Sequence, residues 1–229
     1  MAGKKRSGLV NDRRAYGYGC YTPNPCGVIN IWSIATNAGE NTYTLNGNYT
    51  ITACKILNIP VGTTLNVSAG QTLTNNGTIN NSGYIYNRPG ATINNSGIIN
   101  NSGYLYNYSG GGTINNSGIV NNSGYLYNYS GGGTINNNAG GFIYTYGSGR
   151  IFNNPGGIIN NNASGFIYTY EGGVIYNDPG ATINNNTDGT ISTADGLSTC
   201  GTGTFPVTGP SNGTFNNSGT TNTYCQPIL

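Results

Sequence analysis

From Gly77 onward one five-residue unit recurs sixteen times without a break: a small residue, a variable one, an aliphatic one, a second variable one, and then Asn or Thr. The aliphatic centres are Ile79, Ile85, Ile93, Ile99, Leu105, Ile114, Val120, Leu126, Ile135, Ile143, Ile151, Ile159, Ile167, Ile175, Ile183 and Ile191. Two positions before each stands Gly, replaced by Ala only at Ala91 and Ala181, and two positions after each stands Asn, replaced by Thr at Thr145, Thr169 and Thr193. Side chains of a strand alternate between faces, so each unit turns its small residue, its aliphatic residue and its Asn to the same side. Centres spaced six to nine apart lack the i, i+3, i+4 stripe of a helix. A strand fold built from a repeat is therefore required, with the aliphatic residue as core and the Gly at a sharp corner or close backbone approach. The Asn is placed to bond free backbone groups at the turn and to stack as an amide ladder on the next coil.

Three units make one coil. The string SGYLYNYSGGGTINN begins at Ser102 and again at Ser123, an offset of 21, whereas GFIYTY begins at Gly141 and at Gly165, an offset of 24. Between centres the spacing runs 6, 8, 6, 6, 9, 6, 6, 9 as far as Ile135 and then stays at 8. This predicts an all-β, three-sided parallel β-helix (solenoid) of about seven coils of 20–24 residues, switching near Gly140 from two tight corners per coil to three equal ones, with a right-handed sense favoured. Stacked strands lie about 4.8 Å apart, so such a rod is roughly 30 to 35 Å long. Earlier in the chain the pattern is traced back through Leu73 and Leu65 to Ile51 and Leu45. The expected division is a basic arm over 1–19, an N-terminal cap over 20–42 that includes Trp32, the solenoid over 43–193, and a Cys-containing C-terminal cap or tail over 194–229. Caps protect the unpaired edges that a solenoid leaves at its ends.

Composition agrees with a thin core: only 35% of residues are hydrophobic and 6% charged, yet 19 are Tyr, which separates the chain from disordered sequences of similar polarity. Five of the eight basic residues, Lys4, Lys5, Arg6, Arg13 and Arg14, lie in the first fourteen positions and form a candidate assembly arm. No stacking platform or recognised motif accompanies the arm, so nucleic acid is not expected as a partner. No apolar stretch follows Met1 and no run is long enough to span a membrane, so neither a secretory signal nor a membrane span is expected. Cys20, Cys26, Cys54, Cys200 and Cys225 flank the repeats; without His partners or C-x-x-C spacing they are candidate disulfide formers, with Cys200 to Cys225 the simplest C-terminal pair and one thiol left over. Cysteines without a signal fit a particle assembled inside a cell and oxidised later, on a virion, spore or cell surface.

The outward residues flank each centre. One side reads as a flat Thr-x-Asn array, at Thr92/Asn94, Thr113/Asn115 and Thr134/Asn136. Another carries Tyr84, Tyr86, Tyr104, Tyr106, Tyr125 and Tyr127, and after the coil lengthens the aromatics move to a neighbouring side as Tyr144 and Tyr168, with Tyr146 and Tyr170 just past the corner. An aromatic strip of this extent is a candidate interaction surface, for another copy of the chain or for glycans.

Catalysis is not expected. The chain has no His, and its acids are Asp12, Glu40, Glu171, Asp178, Asp188 and Asp195, with no pair converging as a glycoside-cleaving site needs. No cofactor or metal site is indicated. The unit TINNSG-I-INNSG-YLYN resembles the repeats of filamentous haemagglutinin-type adhesins and of Asn-rich surface-fibre proteins of giant viruses, phages and spores, over residues 43–193. That resemblance implies a β-helix in an extracellular or particle-surface setting. The expected role is a structural subunit of a self-assembling fibre, filament or coat, a homo-oligomer joined through its tyrosine strip and termini. An adhesin or glycan-binding fibre module, or an ice-binding protein using the Thr-x-Asn side, are the alternatives.

Overall fold

The computed structural model describes residues 26–195, 214–218 and 220–225. The chain winds as a β-solenoid of about seven turns; among the described residues its three sides are three sheets of 8, 9 and 8 strands, parallel except for one antiparallel pair, and a 3-10 turn at Ile31–Ser33 is the single helical element. The first side carries the Thr-x-Asn strands, from Tyr49–Ile51 through Thr92–Asn95 to Thr214–Asn217. The second side includes Thr78–Asn81, Ile98–Asn101, Ile119–Asn122, Phe142–Tyr146 and Phe166–Tyr170, and the third includes Tyr84–Asn87, Tyr104–Asn107, Tyr125–Asn128, Arg150–Asn153 and Val174–Asn177. Equivalent residues of the repeat pair in register, as in Ile93 with Ile114 and Leu105 with Leu126.

Alternation places the interior as expected. Every aliphatic centre from Ile79 to Ile191 is buried, and so is the Asn two positions on wherever it occurs. The buried Asn side chains form ladders along the rod. On the first side Asn75, Asn95, Asn116, Asn137, Asn161 and Asn185 are linked by Nδ2 donating to the next Oδ1 at 2.7–2.8 Å. The third side repeats this from Asn87 through Asn107, Asn128 and Asn153 to Asn177. From Asn75 to Asn161 and from Asn87 to Asn153 each Nδ2 also reaches a backbone carbonyl, as Asn95 does with Ile119 O at 3.0 Å, so the amide satisfies the corner as well as its neighbour. On the second side the ladder stops at Asn122, because Thr145 follows it and the Thr145 Oγ1 has no partner.

Close approach, rather than an unusual backbone angle, explains the Gly at the tight corners. A Cβ on Gly97 would lie 2.1 Å from the Gly77 carbonyl oxygen, which accepts the Ile98 N–H at 2.9 Å. No side chain fits there. The corner leading to the first side is wider and admits Ala91 and Ala181, both fully buried.

Coil length follows the spacing in the sequence: Asn75 and Asn95 are 20 apart, Asn95 and Asn116 are 21, and Asn137 and Asn161 are 24. The longer coils carry no additional inward residue, and a narrow apolar void of about 10 Å³ runs between Leu126 and Ile191 along the axis.

The first turns differ from expectation in register. Leu73 pairs with Tyr49 and Leu65 with Tyr43, so Tyr43 and Tyr49 hold the central positions assigned to Leu45 and Ile51. Ile51 instead lies under Asn75, and Ile59 lies under Asn81. Val67 lies under Asn87. Apolar residues thus occupy the ladder columns at this end, and the Oδ1 atoms of Asn75, Asn81 and Asn87 are buried without a donor. The sequence pattern misled because Leu45 and Ile51 are as buried as any centre and differ from one only in which residue of the next coil they meet.

Ahead of these turns Gly27–Ile29 adds a parallel strand to the second side, and Ala35–Gly39 runs antiparallel to Thr42–Leu45 at the edge of the third. A Cys26–Cys54 disulfide ties this segment to the first full coil, with Cα atoms 4.9 Å apart. Cys20, Cys200 and the basic arm lie outside the described residues; Cys225 lies in the strand Thr220–Cys225, whose side chains are also outside that description.

Candidate functional site

The third side is an aromatic lattice. Parallel register stacks each outward position on its equivalent one coil on, so Tyr84, Tyr104 and Tyr125 form one column. Tyr86, Tyr106, Tyr127, Phe152 and Tyr176 form a second. Tyr108 and Tyr129, three positions past their centres, stand 5.1 Å apart as a third. Sequence reading confined to the residues flanking each centre missed this last column, although both tyrosines lie within the repeated string SGYLYNYSGGG.

The rings face one another along the rod. Tyr104 and Tyr125 have centroids 5.0 Å apart and planes within 8°, and Phe152 stacks on Tyr127 at 4.7 Å and on Tyr176 at 4.8 Å. Coplanar rings cannot approach so closely, so these pairs overlap as offset stacks. Tyr86 departs from this pattern, tilted by 58° against Tyr106 and set edge-on to Tyr108.

Three charged residues stand in these columns: Arg88 at one end, Asp178 at the other, and Arg150 after Tyr125 in the first column. Arg88 follows Asn87 at one end, with its guanidinium 4.7 Å from the Tyr86 ring centroid and 5.0 Å from that of Tyr108, and its Nε donating to Asn66 Oδ1 at 3.0 Å. Backbone bonds keep Arg88, Tyr108, Tyr129, Asn154 and Asp178 at the same ladder position, so Asp178 ends the column that Arg88 begins. Desolvation pushes the Tyr86, Tyr106, Tyr108 and Tyr127 phenols above the ordinary 10.0, neighbouring phenols add to the shift, and Arg88 pulls Tyr86 and Tyr108 part of the way back. These hydroxyls stay neutral donors throughout the physiological range.

The second side changes character along its length. Ile119, Asn121 and Asn122 pair with Phe142, Tyr144 and Thr145 of the next coil, and the strand continues to Tyr146 where the earlier coils turn at Ser82, Ser102 and Ser123. Before this junction one outward column is an Asn ladder, in which Asn121 donates to Asn100, Asn100 to Asn80 and Asn80 to Asn58, each at 2.9 Å, and the other carries Ile98 and Ile119. Beyond it stand Phe142, Tyr144 and Tyr146, then Phe166, Tyr168 and Tyr170. Desolvation, followed by the neighbouring phenols and Glu171, raises the Tyr170 pKa too. At the junction a groove of about 280 Å³ is lined by Asn80, Asn81, Ser82, Asn100, Asn101, Ser102, Ser123 and Tyr146.

The ten tyrosines singled out in the sequence thus fall in two groups: Tyr84, Tyr86, Tyr104, Tyr106, Tyr125 and Tyr127 on the third side, and Tyr144, Tyr146, Tyr168 and Tyr170 on the second. Among the described residues, no three His, Cys, Asp or Glu side chains stand together as a metal site, and no helix is long and apolar enough to cross a membrane.

No protein-family model matches the chain, and no curated protein matches it. Among solved structures, it is similar to the TibC-catalyzed hyper-glycosylated TibA55-350 fragment, at 20% identity over 81% of this chain and 87% of that one, with a TM-score of 0.31. At that score the likeness carries no argument about function.

Proposed function

We propose that the protein is a non-catalytic structural subunit of a surface assembly, and that it associates with a second copy of itself through the third side. The stacked aromatic lattice carries this reading. A broad aromatic surface bordered by single charges is what an interface offers, since Tyr supplies contact area with little entropy to lose and a hydroxyl to satisfy. Most of its ring faces are already used in stacking, which leaves edges and hydroxyls to interdigitate with an equal comb.

Charge complementarity selects the second copy as occupant. A two-fold axis parallel to the strands reverses the order of coils and keeps each column opposite its own equivalent. Arg88 then meets the partner subunit's Asp178 at both ends of one self-complementary face. The Cys26–Cys54 disulfide favours an oxidising setting, in keeping with the outside of a cell, spore or virion.

Light scattering over a wide concentration range tests the proposal. Wild type gains mass with concentration. Asp178→Lys weakens association, and Arg88→Glu in the same chain restores it. A wild-type protein that stays monomeric at every concentration overturns the reading, as does a double variant no better than Asp178→Lys alone.

A further inference from the structure

We infer that the groove at the junction on the second side is a binding site for a neutral oligosaccharide, with the free face of Tyr146 as its stacking platform. The inference does not rest on self-association, because the groove lies at the corner where the second side ends and not within the aromatic lattice of the third.

The junction is the place where a ring face is left open. Tyr146 stacks on Tyr170 at 5.3 Å with planes within 19°, which occupies its C-terminal face. On the N-terminal side its column continues into Ser123, Ser102 and Ser82, whose side chains are too short to cover a ring. Lengthening the coil from 21 residues, Asn101 to Asn122, to 23, Asn122 to Thr145, therefore ends a serine column and starts a tyrosine column in one step. The result is a recess with a polar floor and an aromatic end wall.

The floor is built to meet hydroxyl groups. Ser82 and Ser102 have their Oγ atoms 3.1 Å apart, and Ser102 Oγ also lies 3.3 Å from the Asn81 carbonyl oxygen. Asn100 Nδ2 donates one proton to Asn80 Oδ1 at 2.9 Å, and an amide nitrogen carries two. Donors and acceptors thus repeat along the rod at the spacing of the coils, about 4.8 Å.

Ligand class follows from what lines the recess. It contains no charged residue, which disfavours phosphate, sulfate, nucleic acid or an acidic peptide, and it contains one apolar surface, which is an aromatic face. A pyranose ring matches that combination: its C–H face packs on the electron-rich face of an arene while its equatorial hydroxyls point sideways to amides and hydroxyls. The volume, about 280 Å³, lies at the lower limit of small-molecule sites and suits one or two sugar units at a time.

The test uses the full chain with cellotetraose, maltotetraose and chitotetraose, read by saturation-transfer NMR and by calorimetry. At least one binds, with the strongest transfer at ring C–H protons. Tyr146→Phe keeps that affinity, and Tyr146→Ala lowers it about tenfold. Ser123→Tyr extends the Tyr146–Tyr170 stack by one ring, leaves the fold intact and abolishes binding by covering the platform. Tyr106→Ser, on the third side, leaves it unchanged, which separates this site from the proposed self-contact. Absence of binding to all three sugars overturns the inference, and so does a Ser123→Tyr protein that is folded and binds as wild type does.

Discussion

The same amino acid does two different jobs in this repeat, and only its parity in the strand distinguishes them. Asn116 faces inward: it accepts from Asn95 and donates to Asn137 at 2.8 Å each, and it reaches the Phe142 carbonyl at 3.1 Å. Asn115 faces outward and takes part in a ladder of its own, donating to Asn94 and accepting from Asn136 at 2.9 Å. Water can replace the second set of bonds but not the first. Asn116→Ala is therefore expected to lower stability by about 3 kcal/mol and Asn115→Ala by less than about 1 kcal/mol, as read from urea denaturation midpoints. Parity was legible in the sequence from the position of each Asn relative to Ile114. What was not legible is that Ile51, Ile59 and Val67 end the ladders, leaving three buried acceptors without donors.

Along a strand the relevant unit is the column, which exists only because equivalent residues of successive coils are in register. Columns explain why four phenols of the third side, Tyr86, Tyr106, Tyr108 and Tyr127, have raised pKa values: stacking desolvates them and sets other phenols beside them. The sign of the linked pH effect follows from the neutral phenol being favoured in the folded state. Unfolded tyrosines titrate near 10.0, while Tyr86, Tyr106, Tyr108 and Tyr127 titrate higher when folded. Their contribution is complete below pH 10.0 and is lost as the pH rises through the folded values. Absorbance at the tyrosinate band should show these four phenols, and Tyr170 with them, ionising above the ordinary value, with thermal stability falling over the same alkaline interval. Titration of all tyrosines in one step near the ordinary value would contradict the stacked arrangement. The Tyr84 and Tyr86 columns were readable from the repeat itself, whereas Tyr108 and Tyr129 were not, since a residue beyond the strand has no parity rule to place it.

For the whole molecule, a solenoid coil touches only its neighbours, so stability is a sum of local terms and the ends matter most. The Cys26–Cys54 bond closes a separation of 28 residues. Closure of such a loop restrains the unfolded chain by about 3 to 4 kcal/mol. Reduction should accelerate hydrogen exchange in the strands from Gly27 to Ile59 and leave Ile135 to Ile183 as protected as before. Uniform loss of protection would mean that the rod unfolds as one cooperative unit. The cysteines were visible in the sequence as a group outside the repeats, yet spacing gave no means to pair Cys26 with Cys54; proximity of the two chain segments had to decide it.

Taken alone, the sequence determined what repeats locally: strand type, inward and outward faces, three sides, and the change in coil length near Gly140. Those properties follow from a period of two within each strand and a period of three strands around each coil, both of which are written along the chain. Tertiary structure decided what depends on which residue stacks on which across some twenty positions, the separation between ladder partners such as Asn75 and Asn95. It set the register of the first turns, consumed the ring faces of the third side by stacking them, and left the Tyr146 face open beside a polar groove. A ring face is covered or free according to its neighbour one coil away, and that neighbour is fixed by the lengths of all three corners between them.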